Sequence, residues 1–469
     1  MKKPKTKLLS NILARPTVLL FLMTWFAYGA AINSSNLIAF DLQQIGVEAL
    51  VERHHFYLEG AASQQMTTKG DVFKYDDHLY AAKQPGQFMA GAVVFFVLRI
   101  FGLTYLKNYL LTSALVIFFT ASLLLAASAA ALFKIACALA ADRDELFWPV
   151  GATLAYGLAT TTFPYSGIAH HDALATGYLV LAFYFIFQLS RRKVDEHTYL
   201  KSCAAGLLLG LTITTSMLPF FMVVLCSVYF LSLRRWRLLP VFLIGLLAGL
   251  LPLFIFDAVS FGNPFRLANI AGASMFADTF WHFAPKNFGD KLAFYSRALV
   301  FYVPVFAIGL FGLSYYPREI KRSPAFLMLI GLMIVLAVYV FNIKSDGDCQ
   351  FGPRYLLPAM PFACLGIVGY SYLSRLTERR FAAIAVVLTG AISFAVNSVG
   401  ALRGAMGCPD GQNAFSNHIA ALGRGAGPSY PLALWLGLPL VICTTLFVLS
   451  VTTERRSEAS SPRLRVDQN

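Results

Sequence analysis

Two histidines and an aspartate stand side by side at the start of an apolar run. His170, His171 and Asp172 occur in the segment PYSGIAHHDALATGY. Two imidazoles and a carboxylate can help to ligate a divalent metal ion together with Asp41, or they can hold a phosphate. The alternative is that Asp172 only caps the helix that follows. Three ionisable groups at the end of an apolar helix favour a functional site, without assigning a metal to it.

A further acid, Asp41, follows the first apolar segment at the start of a long hydrophilic stretch. A carboxylate at the edge of an apolar phase is costly to desolvate and suits a general base near neutral pH. The same position also suits an acid that the dipole favours at the N-terminus of a short amphipathic helix. The position of Asp41 is equally consistent with a general base and with an acid at a helix N-terminus.

Three cations lie next to tight turns, where backbone amides and a positive charge together make a phosphate site. Lys83 precedes a Pro-Gly turn in YAAKQPGQF, and Arg266 follows the turn in FGNPFR. In FGPRYLLPA a Gly-Pro turn presents Arg354 and Tyr355 at the head of a helix. A guanidinium can fork onto a phosphate. The alternative for each cation is an anchor in the headgroup layer.

Composition decides the class of protein. Of the 469 residues 57% are hydrophobic and 13% charged, and apolar runs recur along the whole chain. These values exclude an ordinary soluble domain and predict an all-α polytopic membrane protein. The net charge of +14 lies in short basic clusters between apolar runs. That pattern reflects membrane topology and argues against a nucleic-acid partner.

The apolar runs predict about twelve transmembrane helices. The segment Phe88–Leu98 is too short to cross and is interpreted as a re-entrant or interfacial helix. The run between Lys201 and Arg234 is too long for one crossing, so we expect a break near Ser216 and Pro219. The basic clusters and both termini then fall on one side, which the positive-inside rule assigns to the cytoplasm.

The predicted domain organisation is one transmembrane domain over residues 1–452 and a disordered cytoplasmic tail over 453–469. Large outer loops are predicted at 34–87, which contains interfacial helices, at 258–296 and at 399–430. Of seven cysteines, Cys349 and Cys408 alone fall in predicted outer loops. We expect a disulfide between them, because an oxidising exterior permits one.

An ordered set of motifs resembles the GT-C superfamily of polytopic glycosyltransferases, in particular phospholipid-carrier-dependent, family 39 or protein O-mannosyltransferase-like members. One departure is Leu42 after Asp41, where many members have an acidic pair. The residues that carry the resemblance are, in chain order, Asp41; Tyr80, Lys83, Pro85 and Gly86; Pro164, Tyr165, Ser166 and His170 or His171; Phe261, Gly262, Pro264 and Phe265; and the run Phe351–Phe362.

The resemblance implies a GT-C-like fold and transfer of a sugar from a polyprenyl-phosphate carrier to a lipid, glycan or protein acceptor. The site would face the exterior or periplasm of a bacterial cytoplasmic membrane, with Asp41 as catalytic base and Asp172 as the second-loop acid. A transporter or flippase, and a lipid-linked oligosaccharide ligase or polymerase, remain alternatives. No cofactor is assigned, although a divalent metal ion is one possibility for the acidic and histidine residues.

Reporter tagging tests the topology on which this site depends. We expect tags beside His171 and beside Arg354 to report the same, outer side, because only then can the two segments share one pocket. The measurement is accessibility of the tags in intact cells and in inverted vesicles, with a tag beside Arg318 as the inner control. Tags on opposite sides would rule out the shared pocket.

Overall fold

The computed structural model describes residues 16–34, 37, 41–61, 63, 66, 71–142, 145–191, 196–272, 283–343, 350–405, 414–424 and 432–460. The regular secondary structure of the described part is helical, apart from one antiparallel hairpin of strands Val72–Tyr75 and His78–Ala81 and an isolated β-bridge between Phe283 and Ile343. The predicted fold class, an all-α polytopic membrane protein, is confirmed.

The longer helices make up most of the described part of the chain. They are Pro16–Ala30, Asp41–Glu48, Gly86–Ile100, Tyr105–Ile117, Leu123–Leu139, Phe147–Leu158, His171–Arg191, Thr198–Thr215, Phe220–Ser232, Leu239–Phe261, Phe288–Tyr302, Pro304–Gly312, Pro324–Asn342, Leu376–Arg403, Ala414–Gly423 and Leu432–Ser460. A π-helical turn, Phe118–Ser122, joins two of them into one element, Tyr105–Leu139.

Within the described residues, six helices are long and apolar enough to cross a membrane. A seventh span arises if the pair Pro285–Tyr302 and Pro304–Tyr315, which is bent by 100°, counts as one. The total of twelve crossings therefore stays a prediction. Gly86–Ile100 has 15 residues and is about 22 Å long, which is less than a hydrocarbon core of about 30 Å. The last helix continues to Ser460, past the predicted boundary at 452.

The predicted break near Ser216 and Pro219 is confirmed. One helix ends at Thr215 and the next begins at Phe220. The helices Thr198–Thr215 and Leu239–Phe261 then run parallel, because the positions in contact rise together along both. A parallel pair requires the intervening helix Phe220–Ser232 to return in the opposite direction, as two crossings would.

Glycines hold this parallel pair together. Gly206 and Gly210 lie in the sequence GLLLG, and Gly245 and Gly249 lie in GLLAG. A Cβ atom at any of the four would overlap backbone atoms of the facing helix. Small residues at this spacing let membrane helices approach closely and gain van der Waals contact along their backbones. Our sequence analysis did not use this motif, although both copies are legible in the chain.

Several contacts pair segments that were predicted on the same side of the membrane. Glu145 forms an ion pair with Arg379 of a predicted inner basic cluster. The Tyr372 hydroxyl donates to the Leu139 carbonyl at 2.8 Å. At the other end of the bundle the Asn33 side chain donates to the Ala401 carbonyl at 3.0 Å. The folding of the chain is thus compatible with the predicted sidedness.

The first outer loop has its own small core. Its predicted amphipathic helix is present as Asp41–Glu48, and almost every residue of it is buried by surrounding protein. Phe261, from the start of the second large outer loop, packs against Phe73, Tyr75 and Tyr80 of the hairpin, with ring centroids 5.3–5.9 Å apart. The hairpin and the segment that begins at Phe261, which are far apart in the sequence, therefore pack against each other.

Enlarging one glycine of the parallel pair tests this packing. Gly206→Ala should lower the stability by about 1–3 kcal/mol, because the added Cβ overpacks a backbone contact. The measurement is the thermal unfolding midpoint in detergent. Gly390→Ala is the matched control, since its Cβ would meet nothing within 4 Å. Equal midpoints for both variants would contradict the packing role.

Candidate functional site

A buried group of charged and polar side chains lies where three distant segments meet. The guanidinium of Arg354 contacts His170, with Nη1 and Nε2 3.1 Å apart. Its Nε lies 3.9 Å from the Asp172 carboxylate. The His171 Nε2 lies 3.5 Å from the same carboxylate. We call these four residues together with Lys83 the charged cluster; all but Lys83 are less than one-tenth exposed.

The break between the helices Thr198–Thr215 and Phe220–Ser232 positions the acid of the cluster. The Ser216 hydroxyl donates to Asp172 Oδ1 at 2.6 Å. Ser216 Oγ in turn accepts from the Leu218 backbone N–H at 3.1 Å, which fixes the serine side chain in the turn. Because a hydrogen bond to the charged form stabilises a carboxylate, this turn helps Asp172 to stay ionised at membrane depth.

Lys83 joins the cluster from the hairpin side. Its ammonium lies 2.6 Å from the Asp71 carboxylate. Burial by itself would raise the pKa of Asp71, but the Lys83 charge and hydrogen bond hold that pKa below its ordinary value. The nearby Arg354 lowers it further. Gly86, three residues after Lys83, lies so close to Thr215 that a Cβ would come within 2.7 Å of its Cα. The lysine segment thus packs directly against the turn that holds Asp172.

The Gly-Pro turn presents Arg354 as predicted. Gly352 has a φ of 72°, a left-handed conformation that favours glycine. The Tyr165 hydroxyl donates to Gln350 at 3.1 Å, which ties this segment to the one that carries the histidines. The ring of Tyr355 lies 4.7 Å from the guanidinium carbon. The buried Nε of Arg354 has no hydrogen-bond acceptor among the described residues.

His170 is neutral in this setting. Complete burial lowers its pKa well below the ordinary value, and the charges of His171, Arg354 and Lys83 lower it further. A neutral imidazole has one acceptor nitrogen, and two donors face this ring. The Arg354 guanidinium faces Nε2 at 3.1 Å, and the Asp172 backbone N–H donates to Nδ1 at 3.1 Å. Nδ1 also lies 3.9 Å from the Asp172 carboxylate.

A divalent metal ion fits this group poorly. Ligand atoms of His170, His171 and Asp172 do lie within 4.8 Å of one another. Both nitrogens of His170, however, already face other groups, and one of those groups is the cation Arg354. A metal would therefore meet electrostatic repulsion and have few ligands left. The positive groups favour an anion instead.

Other predicted site residues lie elsewhere. Asp41 is buried, and the Tyr109 hydroxyl donates to its carboxylate. Arg266 is exposed and donates to the Tyr75 hydroxyl of the hairpin at 2.7 Å. Their roles in binding or catalysis stay predictions. The predicted disulfide of Cys349 with Cys408 lies outside the described residues.

Apolar packing connects Asp41 to the cluster indirectly. Tyr109, its partner, also lies 3.4 Å from the Leu37 carbonyl. Leu37 shares one small hydrophobic core with Ala169, the residue before His170. Tyr109, the partner of Asp41, and the segment that carries Asp172 therefore both contact the same small hydrophobic core.

The sequence analysis missed two residues of the site, Ser216 and Asp71. Ser216 was noted only as a helix breaker, although a hydroxyl in a turn between membrane helices was a usable signal. Asp71 lies in the predicted first outer loop and was not among the candidate site residues. Its pairing with Lys83 follows from the hairpin register, which places Asp71 and Ala82 opposite each other.

No protein-family model and no curated protein matches the sequence. Solved structures are similar to the chain. ArnT from Cupriavidus metallidurans bound to undecaprenyl phosphate gives a TM-score of 0.48 at 14% identity, over 94% of this chain and 78% of that one. Its apo state gives 0.45 at 15% identity, over 93% and 74%.

The archaeal oligosaccharyltransferase AglB from Archaeoglobus fulgidus, in complex with an inhibitory peptide and a dolichol-phosphate, is also similar. The TM-score is 0.49 at 11% identity, over 84% of this chain and 56% of that one. Because all three TM-scores are below 0.5, we draw no conclusion about activity from them.

The neutral state of His170 predicts a pH dependence. In the unfolded chain a histidine takes up a proton below about pH 6.5, whereas buried His170 does not, so stability falls as pH falls below that value. His170→Gln should reduce this loss by about 1 kcal/mol at pH 5.5. The measurement is the unfolding midpoint between pH 7.5 and 5.5, with exposed His197→Gln as control. If the unfolding midpoint of His170→Gln falls between pH 7.5 and 5.5 as much as that of the wild type, His170 is protonated in the folded protein.

Proposed function

We propose that this protein is a membrane glycosyltransferase. It transfers a sugar from a polyprenyl-phosphate carrier to an acceptor at the outer face of a bacterial cytoplasmic membrane. The observation that carries the proposal is the buried Arg354 guanidinium, whose Nε has no acceptor within the described part of the chain, while Lys83 approaches the same cluster. The resemblance of the ordered sequence motifs supplies the reaction class.

The cluster suits a phosphate that arrives from the membrane. Arg354 is the first residue of Arg354–Tyr372, and Asp172 is in the first turn of His171–Arg191, both of which are long enough to span. A phosphate bound here would keep its isoprenoid chain in the hydrocarbon region. Asp71, the partner of Lys83, is half exposed, so an arriving phosphate can share that ammonium without leaving a buried acid unpaired.

The proposed reaction is a displacement at the anomeric carbon. An acceptor hydroxyl attacks that carbon, the bond from the carbon to the phosphate oxygen breaks, and the phosphate leaves with the electron pair. Asp41 takes the proton of the hydroxyl. Arg354 and Lys83 stabilise the negative charge on the departing phosphate, which is the kind of interaction that often dominates catalysis. Asp172 holds Arg354 and His171 in place.

This arrangement needs no metal, because the two cations supply the charge stabilisation that a metal would give. The histidines then have a structural task. The neutral ring of His170 contacts the Arg354 guanidinium, and His171 lies beside the Asp172 carboxylate. In this proposal Tyr355 supports the guanidinium from below.

The test is to incubate the purified full chain, together with membranes as acceptor source, with a panel of radiolabelled polyprenyl-phosphate sugars. A transferase converts the carrier to free polyprenyl phosphate and labels an acceptor. Asp41→Asn should abolish transfer while donor binding persists, and Arg354→Gln should lower the rate by about 10²–10³. Arg297→Gln, an exposed cation outside the cluster, is the control.

Each outcome separates the candidate functions. Sugar transfer that survives Asp41→Asn would mean that another group is the base, with Asp172→Asn as the next variant. Movement of intact labelled lipid across a proteoliposome, with no release of polyprenyl phosphate from any donor, would identify a flippase and overturn the proposal.

A further inference from the structure

A polar cavity lies between two long helices, away from the charged cluster. It has a volume of about 710 Å³. Lys134 of the element Tyr105–Leu139 lines one side of it. Gln188 and Arg191 of the helix His171–Arg191 line the other, and Thr17 of the first helix completes the polar lining.

This cavity lies at the opposite membrane boundary from the charged cluster. His171 begins and Arg191 ends the same helix of 21 residues. A helix of that length is about 30 Å long, which matches the thickness of the hydrocarbon core. The sequence continues with Arg192 and Lys193, one of the basic clusters that predict the inner side.

Contacts with a backbone carbonyl and with aromatic rings hold the two cations in place. The Arg191 guanidinium donates to the Ala138 carbonyl at 2.7 Å and lies over the Phe187 ring at 5.3 Å. The Lys134 ammonium lies over the Tyr184 ring at 5.8 Å. Among the described residues, no carboxylate lies within 4.0 Å of either cation. Two preoriented positive charges facing one cavity favour an anion there.

We propose that this cavity binds the phosphate headgroup of an anionic membrane phospholipid. Basic pockets between membrane helices on the cytoplasmic side recognise such headgroups. The cavity also has apolar walls, Phe133 and Phe187, beside its cations. These walls allow acyl chains to continue into the hydrocarbon region while the phosphate contacts Lys134 and Arg191. A lipid is therefore favoured over a free phosphate. The site is independent of the proposed sugar transfer.

The test is native mass spectrometry of the full chain in detergent with added phosphatidylglycerol or phosphatidylcholine. The wild type should retain phosphatidylglycerol in preference to phosphatidylcholine. The double variant Lys134→Gln, Arg191→Gln should lower the affinity for phosphatidylglycerol about 30-fold, at about 5-fold for each cation. Arg237→Gln, Arg318→Gln is the matched control, because both cations are exposed and lie outside the cavity.

A charge-preserving variant and a competition experiment complete the test. Lys134→Arg keeps the charge and should keep phosphatidylglycerol binding, which separates loss of charge from loss of folding. Glycerol phosphate should not compete at concentrations that match the lipid. Equal phosphatidylglycerol retention in the double variant and the control would overturn the proposal. Full competition by glycerol phosphate would overturn it too, because the ligand would then be a soluble phosphate.

Discussion

The contact of Arg354 with His170 and Asp172 is the constraint on which the rest of the site depends. An isolated charge removed from water at this depth would cost several kcal/mol. The protein offsets that cost by keeping opposite charge and neutral imidazole within 3.1–3.9 Å of the guanidinium. The hydrogen-bonding capacity of Arg354 is not used up, since its Nε finds no acceptor among the residues that the structure describes. A buried cation with spare donor capacity is prepared to receive an anion.

Three separate devices hold this contact in place. The broken helix supplies Ser216 to the carboxylate, and the left-handed Gly352 turns Arg354 inward. The hairpin brings Lys83 to the cluster edge, where Gly86 packs against the break. Since each device belongs to a different segment, the site forms only when the bundle and the first outer loop are both folded. Local sequence preferences alone cannot assemble it.

The sequence predicted the class of fold, the broken helix and most members of the cluster, because hydropathy and basic clusters constrain which loops share a side. It did not separate Asp41 from Asp172, since both are acids near apolar helices. Nor did it reveal that Arg266 would donate to a tyrosine of the hairpin instead of joining Arg354. Such pairings depend on side-chain geometry over long sequence distances, which spacing does not encode. The glycine motifs, by contrast, were present and readable.

The glycine contact between the helices Thr198–Thr215 and Leu239–Phe261 also limits how the protein adapts to its surroundings. Backbones in direct contact cannot slide along each other, and a shift by one helical turn would displace Ser216 by about 5.4 Å. In a thicker or thinner bilayer this pair must therefore tilt as a unit or deform the lipid around it. The height of the charged cluster in the membrane is set by four residues without side chains.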